Sequence, residues 1–394
     1  MGYNFDLIIN RYGTGSIKWD RAEAVFGCRD VIPMWIADMD FRTAEPIVTA
    51  LRKVAEYGIY GYATRLPSYY QAFIGWMKRR HNWEPREEWI EFTPGVVPAI
   101  AMAVRSLTDP GDEVIVQTPV YHPFFHAVIN NHRTILDNPL RLENGRYVMD
   151  MDDLRQKLTP RTKLMLLCSP HNPGGRVWTK SELTALGELC LEHNIIVVSD
   201  EIHADIVYPG HKHTVFATIS REFAENSIVC TGVSKTFNLA GLTTSNIVIP
   251  NQNIRKRFHQ ETLSCGINLP NLFGLVATET AYNHGEPWLE ELLKYLESNV
   301  EYLITYTEKN IPYIKVMRPE GTYLAWLDCR SLPLTEERAK NFMPAEARVG
   351  LEAGTIFGVK ETGFWRMNFA CPRGLLQQAL ERIEKAVRNL NGPK

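Results

Sequence analysis

Apolar positions in the middle of the chain fall in short unbroken runs rather than in alternating or helical stripes. Lys163-Leu164-Met165-Leu166-Leu167-Cys168 breaks into Ser169-Pro170-His171-Asn172-Pro173-Gly174-Gly175, and Ile195-Ile196-Val197-Val198-Ser199 ends at Asp200-Glu201. A third run, Ser227-Ile228-Val229-Cys230-Thr231, leads to Ser234-Lys235-Thr236-Phe237. Such runs suit strands buried on both faces of a parallel sheet, and parallel neighbours need crossovers that are usually helical. The segment from Lys180 to Asn194 reads as one of those helices, so the pattern predicts an α/β fold.

The same pattern predicts three regions. Residues 1–45 show little periodicity and many turn formers, and read as an extended N-terminal arm. Strand and helix signals alternate over 46–285, the large domain. The rest, 286–394, reads as a smaller α/β domain. It opens with a helix from Glu286 to Lys309, in which Leu289, Leu292, Leu293 and Leu296 share one face. Strands follow at Tyr323–Leu327 and Phe364–Ala370, with a polar insert from Ser331 to Glu346 and a closing helix from Leu375.

Ligands of open α/β sheets bind beyond the carboxyl ends of the strands. Asn172, Asp200 and Lys235 stand near three such ends, which gathers an amide, a carboxylate and an amine. A lysine there suits a Schiff base to an aldehyde cofactor, because burial favours the nucleophilic neutral amine. Pyridoxal phosphate (PLP) is an electron sink only while its ring nitrogen is protonated, and a carboxylate such as Asp200 holds that proton. The Asn172 amide suits a donor to the ring's phenolate oxygen, with His203 near the same oxygen.

Four segments carry a family resemblance: Pro170–Gly175, Ser199–Asp205, Ser234–Leu242 (Ser-Lys-Thr-Phe-Asn-Leu-Ala-Gly-Leu) and Arg366–Arg373 (Arg-Met-Asn-Phe-Ala-Cys-Pro-Arg). Together they resemble the signatures of fold-type I, aminotransferase-like PLP enzymes, nearly end to end. Within that superfamily the chain most resembles the MalY/PatB branch of carbon–sulfur β-lyases, the cystathionine β-lyases. The branch-level marks are Gly13-Thr14-Gly15-Ser16-Ile17-Lys18-Trp19-Asp20, Trp35-Ile36-Ala37-Asp38-Met39-Asp40-Phe41, and His203 where many aminotransferases carry Tyr.

The resemblance implies a mainly parallel sheet of seven strands in the PLP-binding domain, an arm packed with the small domain, and a homodimer with shared sites. It implies that the backbone of Val96 and Val97, at a glycine turn opening a helix, binds the phosphate, as free N–H groups at a helix start allow. Ser234 adds a hydroxyl, Tyr121 stacks on the cofactor ring, and Tyr62 reaches the partner subunit's phosphate, with Tyr60 close enough to compete for that assignment. Thr243 departs from the wider pattern: many aminotransferases have a phosphate-binding arginine there, so phosphate binding here rests on neutral donors. Arg366 is the implied anchor for a substrate α-carboxylate, which a guanidinium meets with two parallel hydrogen bonds. Ala37 is implied in substrate binding, and Gly354–Gly358 resembles a loop near that carboxylate. The implied reaction is α,β-elimination of cystathionine or cysteine to a thiol, pyruvate and ammonia. An aminotransferase is the nearest alternative and a non-catalytic regulatory protein on the same scaffold a more distant one.

Bulk properties change this picture little. A formal net charge of −2 over 394 residues gives no electrostatic case for nucleic acid or anionic membrane. No apolar run approaches the roughly 20 residues of a membrane helix, and the polar start Met1–Asp6 lacks a signal peptide's apolar core. Seven cysteines without a Cys-x-x-Cys pair fit a reduced cytoplasm. His122 with His126 and His211 with His213 have chelating spacings, yet no acidic or cysteine ligand completes a recognisable site, so no metal is expected.

Overall fold

The computed structural model describes residues 2–390, and its contacts divide the chain into two compact units. One comprises Thr43–His171 and Arg176–Glu290, and the other the chain up to Arg42, Asn172–Gly175 and the chain from Glu291 on. The turn Asn172–Gly175, which the sequence pattern assigns to the large domain, therefore groups with the terminal segments. The arm is also less extended than expected, since it contains short helices at Ile17–Asp20 and Ala22–Phe26.

The larger unit is built on a seven-stranded sheet. Its strands run, in spatial order, Ile90–Thr93, Ser245–Val248, Ser227–Thr231, Ile196–Asp200, Thr162–Cys168, Glu113–Val116 and Thr134–Asp137. All neighbours pair in parallel except around Ser245–Val248, which is antiparallel to both of its own. The unbroken apolar runs follow from burial on both faces. Leu164, Leu166, Val198, Ile228 and Cys230 join one core cluster with the helix Val96–Leu107. The intervening Met165, Leu167, Val197 and Val229 point the other way and are equally buried.

Register sets the level at which the strands deliver their chemistry. Cys168 pairs with Asp200, and Asp200 with Cys230, so these three strands end side by side. The crossover between the first two starts with a capping box. Thr179 Oγ1 accepts from Glu182 N at 3.2 Å, and Glu182 Oε2 accepts from Thr179 N at 2.7 Å, which satisfies two otherwise orphaned donors of the helix Lys180–Glu192.

The second unit holds a four-stranded antiparallel sheet in the order Lys315–Met317, Leu324–Asp328, Phe364–Asn368 and Glu352–Ala353. Trp326, Arg366 and Glu352 lie level across three of these strands. The turn Asn172–Gly175 is fastened to this unit by Gly175, whose carbonyl accepts from Glu320 N at 2.8 Å and Gly321 N at 3.0 Å. Gly175 has φ +66°, and a Cβ there would meet Pro319 Cβ at 2.8 Å. A glycine meets both demands, one conformational and one steric.

Candidate active site

In the larger unit the candidate residues gather at the strand ends. Asp200 is 4% exposed, and its carboxylate accepts from Ile202 N at 3.1 Å. Burial pushes this carboxyl up to about 7, against the opposing pull of that hydrogen bond and of the positive charge on Lys235. A buried carboxylate with one neutral donor is an open acceptor for a cationic N–H. Lys235 lies in the short helix Val233–Thr236 that follows the neighbouring strand, and Ser234 precedes it on the same turn. His203 is buried just beyond Asp200.

Glu201, the next acid in the chain, is engaged elsewhere. It accepts from Ser199 Oγ at 2.9 Å, Phe216 N at 2.9 Å and His213 Nε2 at 2.8 Å. Alternation along the strand end thus leaves Asp200, not Glu201, as the acid with acceptor capacity.

Behind Lys235 stands a support that the sequence pattern does not single out. Thr236 Oγ1 donates to Asp205 at 2.8 Å, Trp76 Nε1 donates at 3.2 Å, and His81 Nε2 lies 2.9 Å from the same carboxylate. Burial pushes the Asp205 carboxyl up, but its bonds to His81 and Thr236 and the charges of His81 and Arg80 outweigh that and hold it below the usual range. Asp205 closes the motif Ser199–Asp205, so the signal was present. Thr236 stands in the Ser234–Phe237 motif, but the other two partners, Trp76 and His81, are more than a hundred residues away and were not legible.

The helix Val96–Leu107 opens at Gly95, whose φ of +125° turns the chain from the strand Ile90–Thr93 into the helix. No side chain caps this start, so the N–H groups of its first turn have no capping side-chain acceptor. Val96 is buried and Val97 exposed. Tyr121 packs, half-buried, against the adjoining core cluster. Thr243 ends a turn of 3-10 helix at Ala240–Leu242 with φ +43°. Tyr60 and Tyr62 differ sharply. The Tyr60 hydroxyl donates to Ala55 O at 2.8 Å and its ring lies 5.8 Å from Phe273, whereas Tyr62 is 94% exposed.

The second unit brings together Asn172, Arg366 and Ala37. Arg366, 2% exposed, donates through Nη1 to Asn172 Oδ1 at 2.9 Å and through Nη2 to Trp35 O at 2.7 Å. It also pairs with Glu352 on the neighbouring strand and sits 4.9 Å from the Phe357 ring in the Gly354–Phe357 turn. The Ala37 carbonyl accepts from the Tyr323 hydroxyl at 2.8 Å. Glu352 is a second residue that the sequence pattern passed over, because only the pairing of its strand with Phe364–Asn368 puts it opposite Arg366.

Comparison with known proteins adds the following. A family model described as aminotransferase class I and II matches residues 29–383. The chain is 46% identical over 385 residues to cystathionine beta-lyase PatB of Bacillus subtilis, covering 98% of this chain and 100% of that protein. Among solved structures, cystalysin from Treponema denticola, which contains a pyridoxal 5'-phosphate cofactor, superposes with a TM-score of 0.95 at 38% identity, covering 99% of this chain and 100% of that one. The PLP-bound C-S lyase from Staphylococcus hominis superposes with a TM-score of 0.91 at 35% identity, covering 98% of each chain.

Proposed function

The chain belongs to the aminotransferase class I and II family, and from that premise we propose that it is a PLP-dependent carbon–sulfur β-lyase acting on cystathionine or a cysteine-type amino acid. The observation that carries the reading is the buried Asp200 carboxylate, held by a single backbone N–H at a strand end whose neighbouring strand leads to Lys235. The uncapped helix start at Val96 supplies the donor set for a phosphate dianion, and Asp200 the acceptor for a pyridinium, so the residues present fit the cofactor. Likeness to the lyases over nearly the whole chain narrows the reaction class.

When bound, PLP supplies an electron sink for the carbanion left at the substrate α carbon. Asp200 keeps the proton on the ring nitrogen, while Asn172 and His203 serve the phenolate oxygen. Val96 N, Val97 N, Ser234 Oγ and the Thr243 hydroxyl would hold the phosphate, and Tyr121 would pack against the ring. Lys235 Nζ would hold the cofactor's aldehyde carbon and, once freed by the substrate amine, would be the base for the α proton. Arg366 fixes the α-carboxylate and so the direction of the breaking C–H bond, with the Ala37 backbone beside it. Loss of the thiolate from the β carbon leaves aminoacrylate, and its hydrolysis by one water gives pyruvate and ammonia beside the protonated thiol.

A homodimer completes the reading, with Tyr62 serving the phosphate of the partner subunit. Tyr57, Ile59, Tyr62 and Leu66 form an exposed apolar band beside a groove of about 390 Å³, the kind of surface that a second subunit covers. The seven cysteines, none in a disulfide among the described residues, fit a reducing cytoplasm, and among the described residues no helix is long and apolar enough to cross a membrane. The test is turnover of L-cystathionine by the purified yellow holoenzyme without any keto acid, following pyruvate and free thiol. Product that appears only when a keto acid is added would turn the assignment to an aminotransferase.

A further inference from the structure

Of the motifs singled out in the sequence, Gly13–Asp20 plays no part in the chemistry above and Trp35–Phe41 enters it only through Trp35 O and the Ala37 backbone, yet the structure knits the two together. The segment Met34–Asp40 belongs to no helix or sheet, so its carbonyls need partners from elsewhere. Each one from Met34 to Met39 has such a partner. Met34 O accepts from Asn368 N at 2.8 Å, Trp35 O from Arg366 at 2.7 Å, Ile36 O from Asn368 Nδ2 at 2.7 Å and Ala37 O from Tyr323 at 2.8 Å. Asp38 O accepts from Asn368 Nδ2 at 2.6 Å and Lys18 Nζ at 3.2 Å, and Met39 O from Arg11 Nη1 at 3.2 Å.

The far end of this strap is held by charge. Lys18, fully buried, reaches Asp40 at 2.7 Å, while Arg11 reaches Asp40 at 2.6 Å and Asp38 at 2.8 Å. Trp19 Nε1 donates to Asp40 at 2.8 Å, and Trp35 Nε1 returns a bond to Lys18 O at 3.0 Å. Two cations and two carboxylates balance. Desolvation of this lysine is offset by its bonds to Asp40 and Asp38 O, so loss of either side would loosen the strap whose near end is the carbonyl that fixes Arg366.

We propose that the Arg11–Lys18–Asp38–Asp40 cluster is a positioning device for substrate carboxylate recognition: it clamps the Trp35–Asp40 strap so that Trp35 O holds the Arg366 fork and the Ala37 backbone stays in register. Lys18 and Arg11 are then positioning residues that touch no reacting atom. The proposal rests on the reading of Arg366 as the carboxylate anchor.

The test uses the holoenzyme and the absorbance change on binding L-alanine, compared with ethylamine, the same amine without a carboxylate. Lys18→Met is expected to weaken L-alanine binding about tenfold or more while changing ethylamine by less than about twofold, since small displacements of a positioning group act on the group it aligns. Arg11→Gln, at a side chain 21% exposed, should shift the same ratio in the same direction, and it decides the matter if Lys18→Met does not fold. Arg11→Lys, which keeps the charge but not the two-armed grip on Asp38 and Asp40, should restore only part of the loss. Combined with Arg366→Lys, neither variant should add its full effect, because all act on one contact. Equal weakening of both amines, or no change in either, overturns the proposal provided that Arg366→Lys alone abolishes the preference for L-alanine. If Arg366→Lys keeps that preference, the anchor reading itself fails and the proposal falls with it.

Discussion

Asp200 concentrates the chemistry of the larger unit in one carboxyl group. Its ordinary value of 3.8 is pushed up to about 7 by burial, even against the positive charge of Lys235, so the folded chain holds this proton over a range of pH in which the unfolded chain has lost it. Between pH 4 and pH 7 the unfolded chain has released this proton and the folded chain retains it, so the unfolded state binds fewer protons and stability falls as pH rises through that window. In the cofactor-free protein the loss should amount to a few kcal/mol at most, at roughly 1.4 kcal/mol per pH unit. Thermal melts from pH 4 to pH 7 should show that decline in the wild type and a flatter profile in Asp200→Asn. The same variant, measured as holoenzyme, should retain its fold and lose at least about a hundredfold in turnover, because the ring nitrogen loses the charge that keeps it protonated. Near wild-type turnover in Asp200→Asn would contradict the assigned role.

Single elements here are set by local rules that meet a tertiary demand at one residue. The turn Asn172–Gly175 illustrates this, since its sequence specifies a turn while Gly175 specifies where the turn is fastened. Gly175→Ala places a Cβ 2.8 Å from Pro319 Cβ at a φ of +66°. Denaturant melts should show a loss of more than about 1 kcal/mol, beyond the ordinary cost of the conformation alone. Because Asn172 shares the turn and accepts from Arg366, the variant should also raise KM for the amino-acid substrate. A capped helix behaves more simply. Thr179→Ala removes the acceptor for Glu182 N and should cost about 1 kcal/mol in the same melts, with no change in KM.

For the whole molecule the decisive question is whether the proposed dimer shares residues between its two sites. A heterodimer of one subunit carrying Tyr62→Ala and one carrying Lys235→Ala separates the possibilities. If Tyr62 serves the partner's site, one site inherits both defects and the other neither, so about half of wild-type activity should return. If Tyr62 serves its own subunit, every site carries one defect and no recovery should occur. Both parent variants are first measured as homodimers to establish that each is impaired and still associates. Borohydride reduction of the wild type followed by peptide mapping should place the pyridoxyl label on Lys235, and a label on another lysine would sink that assignment.

Much of the larger unit was legible from the chain alone, for reasons that are local. Unbroken apolar runs such as Leu164–Cys168 and Ile196–Val198 encode double-faced burial, and each ends in turn formers within a few residues, so Asp200 and Lys235 are marked as strand-end chemistry, as is Asn172, although its turn groups with the other unit. The supports of that chemistry were not legible, because their partners are remote in sequence and no local period records them. Trp76 and His81 reach Asp205 across 129 and 124 residues, Arg366 reaches Asn172 across 194 and Trp35 across 331. Only strand pairing puts Glu352 opposite Arg366, and only the folded strap gives the buried Lys18 a carboxylate and a carbonyl to hold. The sequence by itself determined which groups stand at the strand ends. Tertiary structure decided which of them are aimed, since aiming a side chain requires contacts that the chain makes only after it has closed on itself.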